Sequence, residues 1–189
     1  MRIGATFGVV RVSLVLLGLV MLAGGATGCN LDEFEEEFDT EFTVPPPQGE
    51  GFGVRPYRKS KRFKMERDPQ DAENVRFLDA SLRVIAPEGS DLTFMNQLDV
   101  YVCDSIEFED CTDPDSGNLT LLATASGFEP GETIRFLDIE FTDDIRGFSK
   151  DKRVLLTWFV YPTGWGYDWP DEGVTIQTDV RLLVRVDVL

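Results

Sequence analysis

The chain has 189 residues, 34 acidic against 18 basic side chains, no histidine, and a formal charge of −16. With 42% hydrophobic residues it has enough apolar content for a core, and its acidity disfavours nucleic acid as a partner. The missing histidine removes the commonest general base and metal ligand. Three cysteines are too few for a four-ligand structural zinc site.

Arg2 and Arg11 are the only charges before Asp32, and seventeen uncharged residues separate Arg11 from Cys29. A charged start, an apolar middle and a small-residue end mark residues 1–28 as an export signal. Read as a helix, seventeen residues at ~1.5 Å each reach ~26 Å, short of a ~30 Å hydrocarbon core. Gly18, Gly24, Gly25 and Gly28 weaken such a helix further.

Ala26-Thr27-Gly28-Cys29 resembles the lipobox of bacterial lipoproteins, with Ala26 standing where that family usually carries leucine. The resemblance implies a diacylglyceryl group on the Cys29 thiol, cleavage before Cys29 and acylation of the new amine. It implies a membrane partner, reached through acylated Cys29. Asn30, in place of the aspartate that favours inner-membrane retention in enteric bacteria, implies the outer membrane. One acyl chain anchors only marginally, and stable anchoring takes two or more.

Residues 29–74 read as a tether with an uneven charge. Residues 30–54 carry eight acids and no base; residues 55–67, RPYRKSKRFKMER, carry seven bases and one acid. In the acidic arm, Phe34, Phe38 and Phe42 are spaced for a helix face, whereas Phe38, Thr40, Phe42 and Val44 alternate as in a strand. Seven acids within 32–41 would repel one another along an isolated helix. The reading favoured is an edge strand at 34–44 that pairs with the domain and stops at Pro45-Pro46-Pro47, with a flexible tether as the alternative. The basic stretch fits three roles: docking on the protein's own acidic domain, contact with anionic headgroups, or a solvated linker.

From residue 75 to 189 the pattern has period two. In VTIQTDVRLLVRVDV, 174–188, Val174, Ile176, Val180, Leu182, Val184, Val186 and Val188 share one face. That is a half-buried antiparallel strand, long enough to require a bend or bulge. Further strands are expected at 80–86, 97–103, 119–126, 133–141 and 153–161, the last apolar on both faces, with a helical turn within 142–150. Short strands at regular spacing predict an all-β fold, an antiparallel β-sandwich of immunoglobulin-like architecture, with a small β-barrel as the alternative.

Three stretches of this domain are candidate sites. Cys103 and Cys111 close a nine-residue segment and form a disulfide in an oxidising compartment. Asp110, Asp113, Asp115 and Asn118 offer oxygen ligands for calcium, the only cofactor considered, although an acidic turn explains them equally. Trp165, Tyr167 and Trp169 in the loop 161–170 either stack on a ligand such as a sugar or fold back to cap the core. Ser149-Lys150-Asp151-Lys152 matches the Ser-x-x-Lys of penicillin-binding enzymes over four residues only, and no catalysis is expected. The sequence thus describes a lipid-anchored envelope protein whose sandwich is a structural or protein-interaction module. The alternative is a carbohydrate-binding module using the aromatic loop.

Overall fold

The computed structural model describes residues 30–47, 55–66, 68–114, 117–164 and 167–188. Ten strands form two antiparallel sheets: β1 (Asn30–Val44), β2 (Tyr57–Lys64), β3 (Asn74–Ala86), β4 (Met95–Cys103), β5 (Leu119–Ser126), β6 (Ile134–Phe136), β7 (Asp138–Ile139), β8 (Ser149–Lys150), β9 (Arg153–Pro162) and β10 (Val174–Val188). One sheet runs β1-β10-β3-β6 and the other β2-β9-β4-β5-β7, with β8 added beside β9. The sheets face each other and do not close into a barrel, so the expected antiparallel sandwich is the architecture found. Within it, successive strands shuttle between layers in the order of a jelly roll. The likeness to an immunoglobulin domain therefore stops at the two layers.

The first layer rests on the pairing of β1 with β10. Phe38 opposes Val180, Phe42 opposes Ile176 and Val44 opposes Val174, and all six are buried. β3 flanks the other side of β10, placing Leu82 against Thr178 and Ala80 against Val180. The β10–β3 ladder shifts register between Thr175 and Ile176 and between Arg181 and Leu182. These shifts supply the bend that a fifteen-residue strand needs. The turn into β10 is tight: Gly173 has φ of +83°, and a Cβ there would run into the Val44 carbonyl. Only glycine meets both demands.

Two expected boundaries differ. The edge strand expected at 34–44 is β1, longer at Asn30–Val44, while the basic stretch placed in the tether before 75 supplies a second strand, β2, and Phe38, Phe42, Phe63 and Met65 belong to the main core. The expected strand 133–141 is two short pieces, because the chain crosses there from one sheet to the other with Leu137 buried between.

β9 lies between β2 and β4 and is buried on both faces from Val154 to Val160. Val154, Leu156, Trp158 and Val160 enter the main core. Leu155 and Phe159 join a second, smaller cluster on the outer face. Past β7, the segment 142–148 closes the end of the sandwich. Ile145 is buried, and its N–H donates to the Val75 carbonyl. Asp144 accepts the N–H groups of Val75 (3.1 Å) and Arg146 (3.0 Å) and pairs with the Arg146 guanidinium. No helix among the described residues is long and apolar enough to cross a membrane.

Two outcomes test this arrangement. Phe38→Ala should cost about 3–4 kcal/mol in urea denaturation, against less than ~0.5 for the outward-facing Glu37→Ala; equal small losses would mean that β1 is no part of the core. Burial alone would raise the Asp144 carboxyl pKa, but the N–H groups of Arg146 and Val75 and the Arg146 guanidinium outweigh it and hold it below its usual value. A depressed folded pKa gives stability that is complete above the unfolded pKa, near ~4, and is lost as pH falls through the folded one. Asp144→Asn should therefore lower stability at neutral pH by about 1–2 kcal/mol and flatten the loss below about pH 4, measured by denaturation across pH.

Candidate functional site

Cys29, with the signal segment before it, lies outside the described residues, as do Asp115 and Trp165. The described strand nevertheless starts at Asn30, whose backbone pairs with Val188. The residue after Cys29 is thus already part of a sheet.

The acidic arm and the basic stretch come together along one side of the sandwich, as the edge strands of the two layers. The Phe38 and Phe63 rings lie 4.8 Å apart and Phe42 stacks on Tyr57 at 6.0 Å. Lys61 Nζ donates to the Asp39 carbonyl at 2.8 Å, and Glu36, a buried carboxylate, accepts the Glu66 N–H at 3.2 Å. Between the two edges runs an open groove of about 590 Å³, whose lining includes Thr40, Lys59, Lys61 and Arg62. Lys59 and Lys61 point toward the sandwich from an edge strand, one of the ways sheet edges are kept from pairing with other chains.

Cys103 and Cys111 are bridged. The loop they close lies over the outer face of the second sheet and covers the cluster of Leu119, Leu155 and Phe159, with Tyr101 and Tyr161 packed at its margin. Arg62 holds the loop from β2. Its Nε donates to the Ile106 carbonyl, its guanidinium lies 4.3 Å over the Phe108 ring, and it pairs with Glu107 at 3.3 Å.

Two of the candidate calcium ligands, Asp110 and Asn118, serve this same loop. Asp110 Oδ2 accepts from Ser105 Oγ at 2.6 Å, and the Asp110 carbonyl accepts from Asn118 Nδ2 at 3.3 Å. Among the described residues, no three acidic or sulfur side chains gather as a metal would require.

In the aromatic loop, Tyr167 and Trp169 are half-buried against the main core. Trp169 packs edge-on to Phe94 at 5.5 Å, and its Nε1 donates to the Thr163 carbonyl at 3.2 Å. Tyr167 lies 5.4 Å from Trp169 and 6.3 Å from Phe94. Both rings pack around Phe94 at the end of the sandwich and remain partly exposed.

Sequence reasoning missed the surface at the other side of the first sheet. Ile134 and Phe136, on the edge strand β6, are 54% and 69% exposed, and Ile85 nearby is 41% exposed. The signal was present in the segment 133–141, where apolar residues fall on both alternating faces, more than one buried face needs.

No protein-family model matches the chain, and no curated protein does. Among solved structures, a decameric BFDV capsid protein is 12% identical over 82% of this chain and 99% of that one, with a TM-score of 0.42. The 60-mer form of the BFDV capsid protein is 11% identical over 84% and 94%, also at 0.42. A structure of turnip yellow mosaic virus is 9% identical over 94% and 92%, at 0.32. Likeness at these scores transfers no function.

Replacing both Cys103 and Cys111 by serine should lower stability by roughly 2.5 kcal/mol, the chain-entropy value for so short a loop. It should also speed proteolysis within 104–118 while leaving the main core folded, read by denaturation and limited digestion.

Proposed function

We propose that the protein is a lipid-anchored component of a bacterial cell envelope, acylated on Cys29, whose sandwich serves as a structural or protein-interaction module. The observation that carries this reading is the position of Cys29, one residue before a strand built into the first sheet. Acyl chains on that cysteine hold the sandwich through fifteen consecutive register pairs, with no linker between. Stable anchoring by acyl chains needs no protein helix. The Cys103–Cys111 bridge supports the reading from a second side, since structural disulfides belong to oxidising compartments.

Loss of residues 1–28 removes Arg2 and Arg11, so the anchored chain carries a formal −18 instead of −16. Such a charge keeps the displayed domain soluble and off anionic surfaces. β1 then runs away from the bilayer, and the end capped by Tyr167 and Trp169 stands roughly 45 Å from the anchor along the strand. Partners, on this reading, are other envelope proteins meeting that far end or the outer sheet faces.

Cells given labelled palmitate should incorporate it into the wild-type chain and not into Cys29→Ser. The variant should accumulate at its unprocessed mass, with residues 1–28 retained. A Cys29→Ser chain that stays in the pellet at the processed mass would overturn the anchor.

A further inference from the structure

We propose that three cations in a row across the second sheet, Lys64, Arg153 and Lys150, form a binding site for a phosphoryl group. The row follows from the strand register. Arg153 on β9 is opposite Lys64 on β2 and, on its other side, opposite Lys150 on β8. Residues paired across strands share a face, and neighbouring strands lie about 4.8 Å apart, so the three side chains leave one face within roughly 10 Å. The adjoining row, Phe63, Val154 and Ser149, is buried, which turns the cationic row to the outer face. Lys64, Arg153 and Lys150 are all exposed.

The backbone beneath the row is fixed. β8 returns into β9 through Asp151 and Lys152, with φ of 52° and 59°. Two successive positive values are the pattern of the tight two-residue hairpin turn, here built without glycine. The turn sets Lys150 directly against Arg153 and adds Lys152 as a fourth exposed cation. Met65 N–H donates to the Lys152 carbonyl at 2.8 Å, which ties the turn to the end of β2.

Folding alone does not account for the row. Like charges directly opposite each other destabilise a sheet. The chain has 34 acids for 18 bases, yet among the described residues no ion pair reaches any of the three. Glu37 and Glu66 share a depression with Lys64, and Asp151 lies in the turn, without pairing to the row. Cations on an edge strand can keep other chains away, but Arg153 has a strand on each side. Arg62, two residues from Lys64 on the same face, shows the contrast. Its guanidinium is engaged by the Ile106 carbonyl, Glu107 and the Phe108 ring.

A phosphoryl group answers each of these features. It carries about −1.5 to −2 at neutral pH and accepts from several donors at once. The Arg153 guanidinium offers a planar fork that binds phosphate through two parallel hydrogen bonds, and an ammonium on each side adds a point charge. An anion among three cations turns their mutual repulsion into attraction. Acids farther than ~8 Å away are largely screened at physiological salt. The site is open to solvent, so the group can arrive as free phosphate or as a substituent of an envelope glycan, and its binding does not depend on acylation of Cys29.

Thermal melting of the purified full chain at neutral pH, in sodium phosphate against sodium chloride of equal ionic strength, tests the site. Phosphate at about five times its dissociation constant should raise the midpoint by roughly 2–4 °C above chloride. Lys64→Gln combined with Lys150→Gln should melt in chloride no lower than wild type, because the repulsion is relieved, and should lose the phosphate increment. Arg153→Lys keeps the charge without the fork and should cut the increment by about half or more. Glucose 6-phosphate, with glucose as its control, separates the sources: a shift with both phosphates supports a glycan substituent, and a shift with inorganic phosphate alone supports the free ion. Equal wild-type midpoints in phosphate and chloride, or an increment that survives in the double variant, would overturn the proposal.

Discussion

The first sheet depends on the union of the two ends of the described chain. β1 supplies Phe38, Phe42 and Val44 to the core, and β10 supplies Val174, Ile176, Val180, Leu182 and Val184. Neither strand has an alternative partner on the β1 side, because β1 is the outer edge. β10 alone is a long apolar-faced strand, and without β1 it would present an open edge of the kind that aggregates. The acidic arm is therefore a structural strand before it is anything else.

Charge is arranged around that strand so that it does not oppose the pairing. Every second residue of β1 from Glu33 to Glu41 is acidic and faces water. Arg185 pairs with Glu33, and Arg181 reaches Glu35 on one side and Asp79 on the other, tying three strands together across the outer face. Exposed pairs of this kind contribute little individually. Their arrangement fixes register, since a one-residue slip would turn the carboxylates into the core. On the inner side, Lys61 takes up a backbone carbonyl of the open β1 edge and Glu36 takes up a backbone N–H. The two edges thus satisfy each other's polar groups.

Much of this was legible in the chain and some was not, for identifiable reasons. β10 and β9 are plain because every inward position is apolar or threonine, and the segment 80–86 needed only extension to Asn74. β1 was ambiguous because Glu36 occupies an inward position, breaking the alternation, while the four-residue spacing of Phe34, Phe38 and Phe42 mimics a helix face. β2 was invisible as a strand, since two of its four inward positions hold Lys59 and Lys61 and their ammonium groups reach out of the core past their aliphatic stems. Composition, a run of acids followed by a run of bases, masked the pattern. The aromatic loop gave its residue types but not its direction. That depended on Phe94, seventy-five residues earlier in the chain, being there to receive Trp169. The open β6 edge depends on sheet order, which no local pattern carries.

The meeting of β1 with β10 has a consequence for the order of assembly. Residues 30–44 have no sheet partner until residues 174–188 exist, so this layer closes only after all the described strands have been made. Contacts so distant along the chain form late and slowly. Such a layout leaves the N-terminal strand without a partner while the stretch behind it is still being made.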